Sequence, residues 1–225
     1  MLVQHLDWSS VPYGGDLSME LATSRDGKEW KRDFRSSMGY PKFLPVNPMS
    51  GMFDSGTLWT NARFIPTKDG KRQRLWYGAY CAWGTDCKGK IDCDCKDDAT
   101  QSGIGLATMR TNGFAYLTPQ NVTYPAQVTM KAVSLEGVCG FSVNVDVSDE
   151  SASLKLELLS HTGYVIDGYS QAKAISLQQV SDTDVPVTWD TEHARFPQGY
   201  KGEIIIRAHF LGAAKLYAIN LMEKC

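Results

Sequence analysis

The sequence predicts an all-β chain of two parts, and three observations predict it. Twenty glycines, nine prolines and an aromatic content of 11% accompany no long amphipathic helical stretch, which is the composition of strands joined by many turns. A hairpin-like unit recurs in the first half. In the second half, apolar and polar residues alternate with period two, as in strands with one buried and one wet face. Together these read as a partial β-propeller over residues 1–120 followed by a jelly-roll-like β-sandwich over 121–225.

The recurring unit is "ELATSRDGKEW" (Glu20 to Trp30) and "GLATMRTNGF" (Gly105 to Phe114), which share Leu-Ala-Thr-x-Arg. In each, a strand is expected to end, Asp26-Gly27 or Asn112-Gly113 to supply a tight turn, and the aromatic to open a returning strand. Between the copies lie strand-like runs "SGTLWTNARFI" and "RLWYGAY", joined by the polar turn "PTKDGKRQ". This succession matches a propeller blade, whose four-stranded sheet packs on its neighbours. Trp30, Trp59 and Trp76 stand at strand spacing, so they are expected in the core between blades, with sugar stacking as the alternative.

From the turn-rich "LTPQNVTYPAQ" onward the strands become regular. "FSVNVDV" sets Phe141, Val143, Val145 and Val147 on one face. "LKLEL" does so with Leu154, Leu156 and Leu158, leaving Lys155 and Glu157 outward. "EIIIRAHF" sets Ile204, Ile206, Ala208 and Phe210 together, and "VPVTW" sets Val185, Val187 and Trp189. The stretch "GYSQAKAISLQQVSD" is the best helix candidate, but reads equally as strand and loop.

Charge narrows the function classes. A net charge of −2 and a pI near 6.1 leave no basic surplus to neutralise phosphates, which argues against nucleic acid. The basic run "KDGKRQR" is expected to be a solvated turn. No stretch approaches the ~18–20 consecutive apolar residues of a membrane span. "MLVQHLDWSS" does not have the pattern of a signal peptide, so a mature or partial form, or an upstream start, is expected.

"HLDWSSVPYGGDLSMELATSRDGKEWKRDF", "FDSG", "RLWYGAY" and "GIGLATMRTNGF" resemble the last blades of five-bladed propellers related to glycoside hydrolase families 32 and 43. "VNVDV", "LLSHTGYVIDGYS", "DTDVPVTW" and "AKLYAINL" look like the β-sandwich appended to such propellers. The motifs occur in the family's order from about His5 to Leu221. The resemblance implies carbohydrate as partner and about one and a half to two blades here. It also implies that upstream sequence, another copy or another protein covers the exposed blade sides. The family's Trp-Met-Asn-Asp-Pro-Asn-Gly and Glu-Cys motifs are absent, and Gly27 stands where its Arg-Asp-Pro motif has proline. The expectation is therefore a secreted carbohydrate-related binding or structural module, not a complete enzyme by itself. The alternative is the C-terminal part of a glycoside hydrolase whose catalytic blades lie upstream or in a partner.

Glycoside hydrolysis needs two carboxyls flanking the scissile bond, and the candidates are Asp54, Asp16 and Glu20. Asp54, in "MFDSG", enters a strand, although Asp-Ser-Gly is also ordinary turn chemistry. Asp26 resembles the aspartate of the Asp-box hairpin, a turn-holding role. Trp83 is the candidate for an exposed sugar contact. The four histidines show no metal-site spacing, and Asp182 and Asp184 are expected to cap a turn, with calcium as the alternative.

"YCAWGTDCKGKIDCDCKDD" (Tyr80 to Asp98) holds four of the six cysteines. Cys81, Cys87, Cys93 and Cys95 fit zinc and iron–sulfur spacing poorly. Calcium on Asp92, Asp94, Asp97 and Asp98 is the remaining metal reading; no other cofactor is expected. Disulfides are the leading account, with Cys139 and Cys225 pairing in the second domain or Cys225 bridging to another chain. "NVT" makes Asn121 a glycosylation acceptor, and the combination points to an extracellular or luminal setting.

Overall fold

The computed structural model describes residues 2–7, 16–31, 42–47, 52–60, 63–81, 102–190 and 202–223. Among these residues the chain is all-β, with thirteen strands and no helix. It divides into two compact units, Met1–Met109 and Arg110–Cys225.

The first unit is built on one sheet of β1 (Leu2–Asp7), β2 (Asp16–Leu21), β3 (Thr57–Thr60), β4 (Ile65–Pro66), β5 (Arg72–Tyr80) and β6 (Ser102–Arg110). The order is β1-β2-β3-β5-β4, with β6 also pairing β5. β2 and β3 run parallel, while β1–β2, β3–β5 and β4–β5 are antiparallel. Alternation in β5 follows its sequence: Gln73, Leu75 and Ala79 are buried, and Arg72, Arg74, Trp76 and Tyr80 are exposed. Met19, Val46, Leu58 and Ala79 form the apolar cluster beneath the sheet, with Phe53 and Tyr77 against it.

Two turns in this unit share the pattern Ser/Thr-x-Asp-Gly-Lys. Asp26 Oδ1 accepts the backbone N–H groups of Lys28 (2.8 Å) and Glu29 (2.9 Å) and the Ser24 hydroxyl. Asp69 Oδ1 accepts the Thr67 hydroxyl at 2.6 Å and the Lys71 N–H at 3.1 Å. Gly27 and Gly70 follow with φ of 72° and 69°, the left-handed conformation that a side chain disfavours. Asp26 is thus a turn residue, held by the same chemistry as Asp69.

The second copy of the repeat departs from its expected hairpin. β6 runs to Arg110, Asn112 takes φ 53°, and the Gly113 N–H closes on the Arg110 carbonyl at 3.0 Å. The chain then continues to Leu117, which bridges Leu216 rather than returning beside β6. Pairing partners available farther along the chain override the local turn signal.

The second unit holds two antiparallel sheets. One joins β10 (Ser153–Ser160), β12 (Glu203–Leu211), β7 (Ala126–Thr129) and β8 (Val133–Ser134). The other has β11 (Val180–Pro186), β9 (Gly140–Val147) and β13 (Lys215–Met222), in that order. One apolar cluster contains Val143, Val145 and Val147 of β9, Leu154, Leu156 and Leu158 of β10, and Ile204, Ile206 and Phe210 of β12. Each fully buried side chain of this size contributes about 1.5–3 kcal/mol. Trp189 completes the cluster and donates its indole N–H to the Leu156 carbonyl at 3.1 Å.

The outer side of β9 carries polar residues that are nonetheless buried. Asn144 donates to the Thr111 carbonyl at 2.7 Å and accepts from Arg110 at 3.0 Å. Arg110 also reaches the Val145 carbonyl and Ser181, and its guanidinium lies 4.9 Å from the centre of the Tyr217 ring. This network docks the segment after β6 on β9. Segment 168–182, the sequence's best helix candidate, instead forms turns and then enters β11, with Leu154 and Leu177 exchanging backbone hydrogen bonds on the way.

Candidate functional site

The structure sets the candidate residues in three places, beginning with the acids of the first unit. Glu20, on β2, is buried. Asp16 opens β2 opposite Asp7, and its side chain lies outside the described residues. Asp54 precedes β3, and its Oδ2 accepts the phenol of Tyr77 on β5 at 3.1 Å. Its Oδ1 is buried with no hydrogen-bond partner among the described residues, a costly state for a carboxylate oxygen. Burial, and then the neighbouring Asp54 carboxylate, raise the Tyr77 phenol above its ordinary value. Tyr77 stacks on Phe53, 6.4 Å between centroids. Gly103 and Gly105 of β6 make room for that pair, since a Cβ on either would collide with a ring.

The opposite face of the same sheet corrects an expectation. Trp59 and Trp76 are not in the core: they are 49% and 51% exposed, and Trp30 is also exposed. The reason is the strand period. Leu58 and Ala79 turn toward the apolar cluster, so Trp59 and Trp76 must turn away from it. Trp30 lies over the Asp26 turn, its indole N–H donating to the Gly27 carbonyl at 3.2 Å.

Trp59 pairs directly with Gly78 across the β3–β5 ladder. Paired residues share a face, as do residues two apart on one strand. Trp59, Trp76, Gly78 and Tyr80 therefore lie together. A Cβ at Gly78 would meet nothing within 4 Å, so open space lies above its backbone. The result is a slot with a glycine floor, Trp59 across from it, and Trp76 and exposed Tyr80 on either side. Glycine weakens a strand interior and often marks close approach of a ligand. Arg74, exposed two residues before Trp76, supplies hydrogen-bond donors on the same face.

The third place is the outer face of the β10–β12–β7 sheet. Register aligns Lys155, His209 and Gln127 in one row and Glu157, Arg207 and Thr129 in the next. Glu157 was expected to face water, yet it is only 7% exposed. The returning segment covers it: Oε1 accepts the Gln171 N–H at 3.2 Å. Oε2 meets Arg207 at 3.2 Å and His209 Nε2 at 3.3 Å. Arg207 in turn donates to Thr129 at 3.0 Å. A buried carboxylate is thus compensated on both oxygens, the condition for tolerating it.

Beside this network lies a cleft of about 620 Å³, lined among others by Gln127, Lys155, Gln171, Gln178 and His209. Sequence alternation identified Lys155 and Glu157 as outward. It carried no signal that β7, β10 and β12 would be neighbours, so the cleft was not foreseen.

Of the remaining candidates, Asp182 caps its own turn by accepting the Thr183 N–H at 2.7 Å. Asn121 is exposed, and its side chain accepts the Thr123 N–H at 2.9 Å. Cys81 and Cys139 each take part in a disulfide. Cys87, Cys93, Cys95, Cys225, Trp83, Asp92, Asp94, Asp97 and Asp98 lie outside the described residues. Among the described residues no group of three or more His, Cys, Asp or Glu side chains is placed to hold a metal, and no helix is long and apolar enough to cross a membrane. No family model, curated protein or solved structure matches the chain.

Proposed function

We propose that this chain is a secreted carbohydrate-binding or structural module, a partial β-propeller followed by a jelly-roll-like β-sandwich, and not a complete enzyme by itself. The observation that carries this reading is the slot over Gly78, flanked by Trp59, Trp76 and Tyr80. A pyranose ring has an apolar face of C–H groups, and it stacks on the electron-rich face of an indole or phenol. Its hydroxyls need polar partners at the edge, which Arg74 supplies. Exposed aromatics grouped around open space are a binding surface more readily than a solvated one. Further support for a secreted module comes from the disulfide-bonded Cys81 and Cys139 and from the exposed Asn121 sequon.

Titration with a panel of neutral oligosaccharides, with reducing ends assayed in parallel, tests the reading. Binding without turnover is expected. Trp59→Ala, Trp76→Ala and Gly78→Val should each weaken it at least about tenfold, as for truncation of an aromatic anchor. Equal binding by all three variants, or no binding at millimolar sugar, rejects the slot as a glycan site.

The second reading, the C-terminal part of a glycoside hydrolase, is favoured by the Asp54–Tyr77 pair, a part-buried carboxylate with one unsatisfied oxygen. Turnover abolished by Asp54→Asn would establish it. Undiminished turnover would return Asp54 to a turn role.

A further inference from the structure

We infer that the cleft on the β10–β12–β7 face is a second ligand site, and that it takes a carboxylate-bearing saccharide. The inference is independent of the aromatic slot and goes beyond it, because it concerns the other compact unit.

The charge of the cleft carries the argument. Among the described residues its lining contains Lys155 and His209 and no acidic side chain. The carboxylate in the next row of the sheet, Glu157, is already held by Arg207, His209 and the Gln171 N–H. Among the described residues the Lys155 ammonium forms no ion pair. A lone ammonium half-withdrawn into a cleft favours an anion, since the reduced dielectric strengthens their attraction.

The other lining groups select what bears the charge. Gln127 and Gln178 offer both amide donors and acceptors, and Ser153 and Ser176 offer hydroxyls. Gln178 already donates to Ser176 at 3.3 Å, which orients both. Mixed donors and acceptors suit the hydroxyls of a sugar, whereas a bare inorganic anion needs donors alone. Pro125 and Leu211 supply apolar edge against the ring. The volume of about 620 Å³ falls within the ~300–1,000 Å³ of small-molecule sites.

The charge requirement is separable from shape by comparing an oligogalacturonate with its fully methyl-esterified form. Both are titrated against the full chain, with a sulfated neutral oligosaccharide as a third probe. The acid should bind and the ester should bind at least about tenfold more weakly, the loss expected of one charge-assisted hydrogen bond. Lys155→Gln should weaken the acid by a similar factor and leave the ester unchanged, while Lys155→Arg should restore binding. Trp59→Ala and Trp76→Ala should not alter it, which keeps this site distinct from the slot. Unchanged melting of Lys155→Gln verifies folding, and resonance shifts at Gln127 and Gln178 locate the ligand. Equal binding of acid and ester, tighter binding of the sulfated probe, or no binding of any overturns the inference. The slot is tested separately, by the neutral-oligosaccharide panel with Trp59→Ala and Trp76→Ala.

Discussion

Tyr77 donates a 3.1 Å hydrogen bond to Asp54 Oδ2, tying the loop before β3 to β5. Since Asp54 Oδ1 is already unsatisfied, Tyr77→Phe should strip the carboxylate of its described donor and cost the first unit about 1–3 kcal/mol. Asp54→Asn preserves the acceptor and should cost less. Denaturant melts of both variants check this order; a silent Tyr77→Phe would show that solvent replaces the phenol freely.

Exposure should separate the tryptophans from the core they were expected to join. Trp76→Ala should change stability by about 1 kcal/mol or less, as for a surface substitution. Leu75→Ala, one residue away and buried, should cost about 2–5 kcal/mol through transfer and cavity effects. Comparable losses at the two positions would mean that the Trp76 face is covered.

Asn144 should be the most sensitive polar residue of the second unit. It is 2% exposed and bonded on both ends of its amide. Asn144→Leu leaves Arg110 and the Thr111 carbonyl without their partner, at a cost of about 2–4 kcal/mol. Thermal unfolding measures it. A loss no larger than that of an exposed control such as Asn121→Ala would rule out a structural role for the network.

Acid should loosen two carboxylate-centred turns. The Glu29 and Lys28 N–H groups and the Ser24 hydroxyl hold Asp26 below its ordinary value of 3.8. The Ser148 hydroxyl, with weaker help from Ser181 and Lys215, does the same for Asp146. A lowered carboxylate pKa contributes stability that is present above 3.8 and lost as pH falls through the folded value. Melting temperature should therefore fall as pH drops below 3.8, and Asp26→Asn should remove part of that slope. An unaltered slope in this variant would assign the acid sensitivity elsewhere.

Register makes a specific disulfide prediction. The Cys139 N–H donates to the Met222 carbonyl at 2.8 Å, and Gly140 pairs with Met222. Cys225 lies outside the described residues but follows Met222 by only three positions, closer along the chain to the Cys139 pairing than any other cysteine. Non-reduced peptide mapping is expected to return Cys139 joined to Cys225. Cys139 joined to any other cysteine would refute it.

The sequence by itself determined which residues of each second-unit strand face the core, because side-chain direction alternates along a strand regardless of what pairs with it. Val143, Val145, Leu154, Leu156, Ile204 and Ile206 are buried as their spacing required. It also determined the Asp26-Gly27 turn, whose chemistry is complete within a few residues. Tertiary structure alone decided what pairs with what, and that is where both candidate sites arise. Gly78 becomes a slot only because β3 brings Trp59 opposite it. Lys155 and His209 share a cleft only because β10 and β12 pair in one register. Glu157, polar and correctly assigned to the outward face, is buried because segment 161–178 returns over it. Local periodicity fixes a side chain's direction; distant segments of the chain fix whether that direction meets water, another side chain or a ligand.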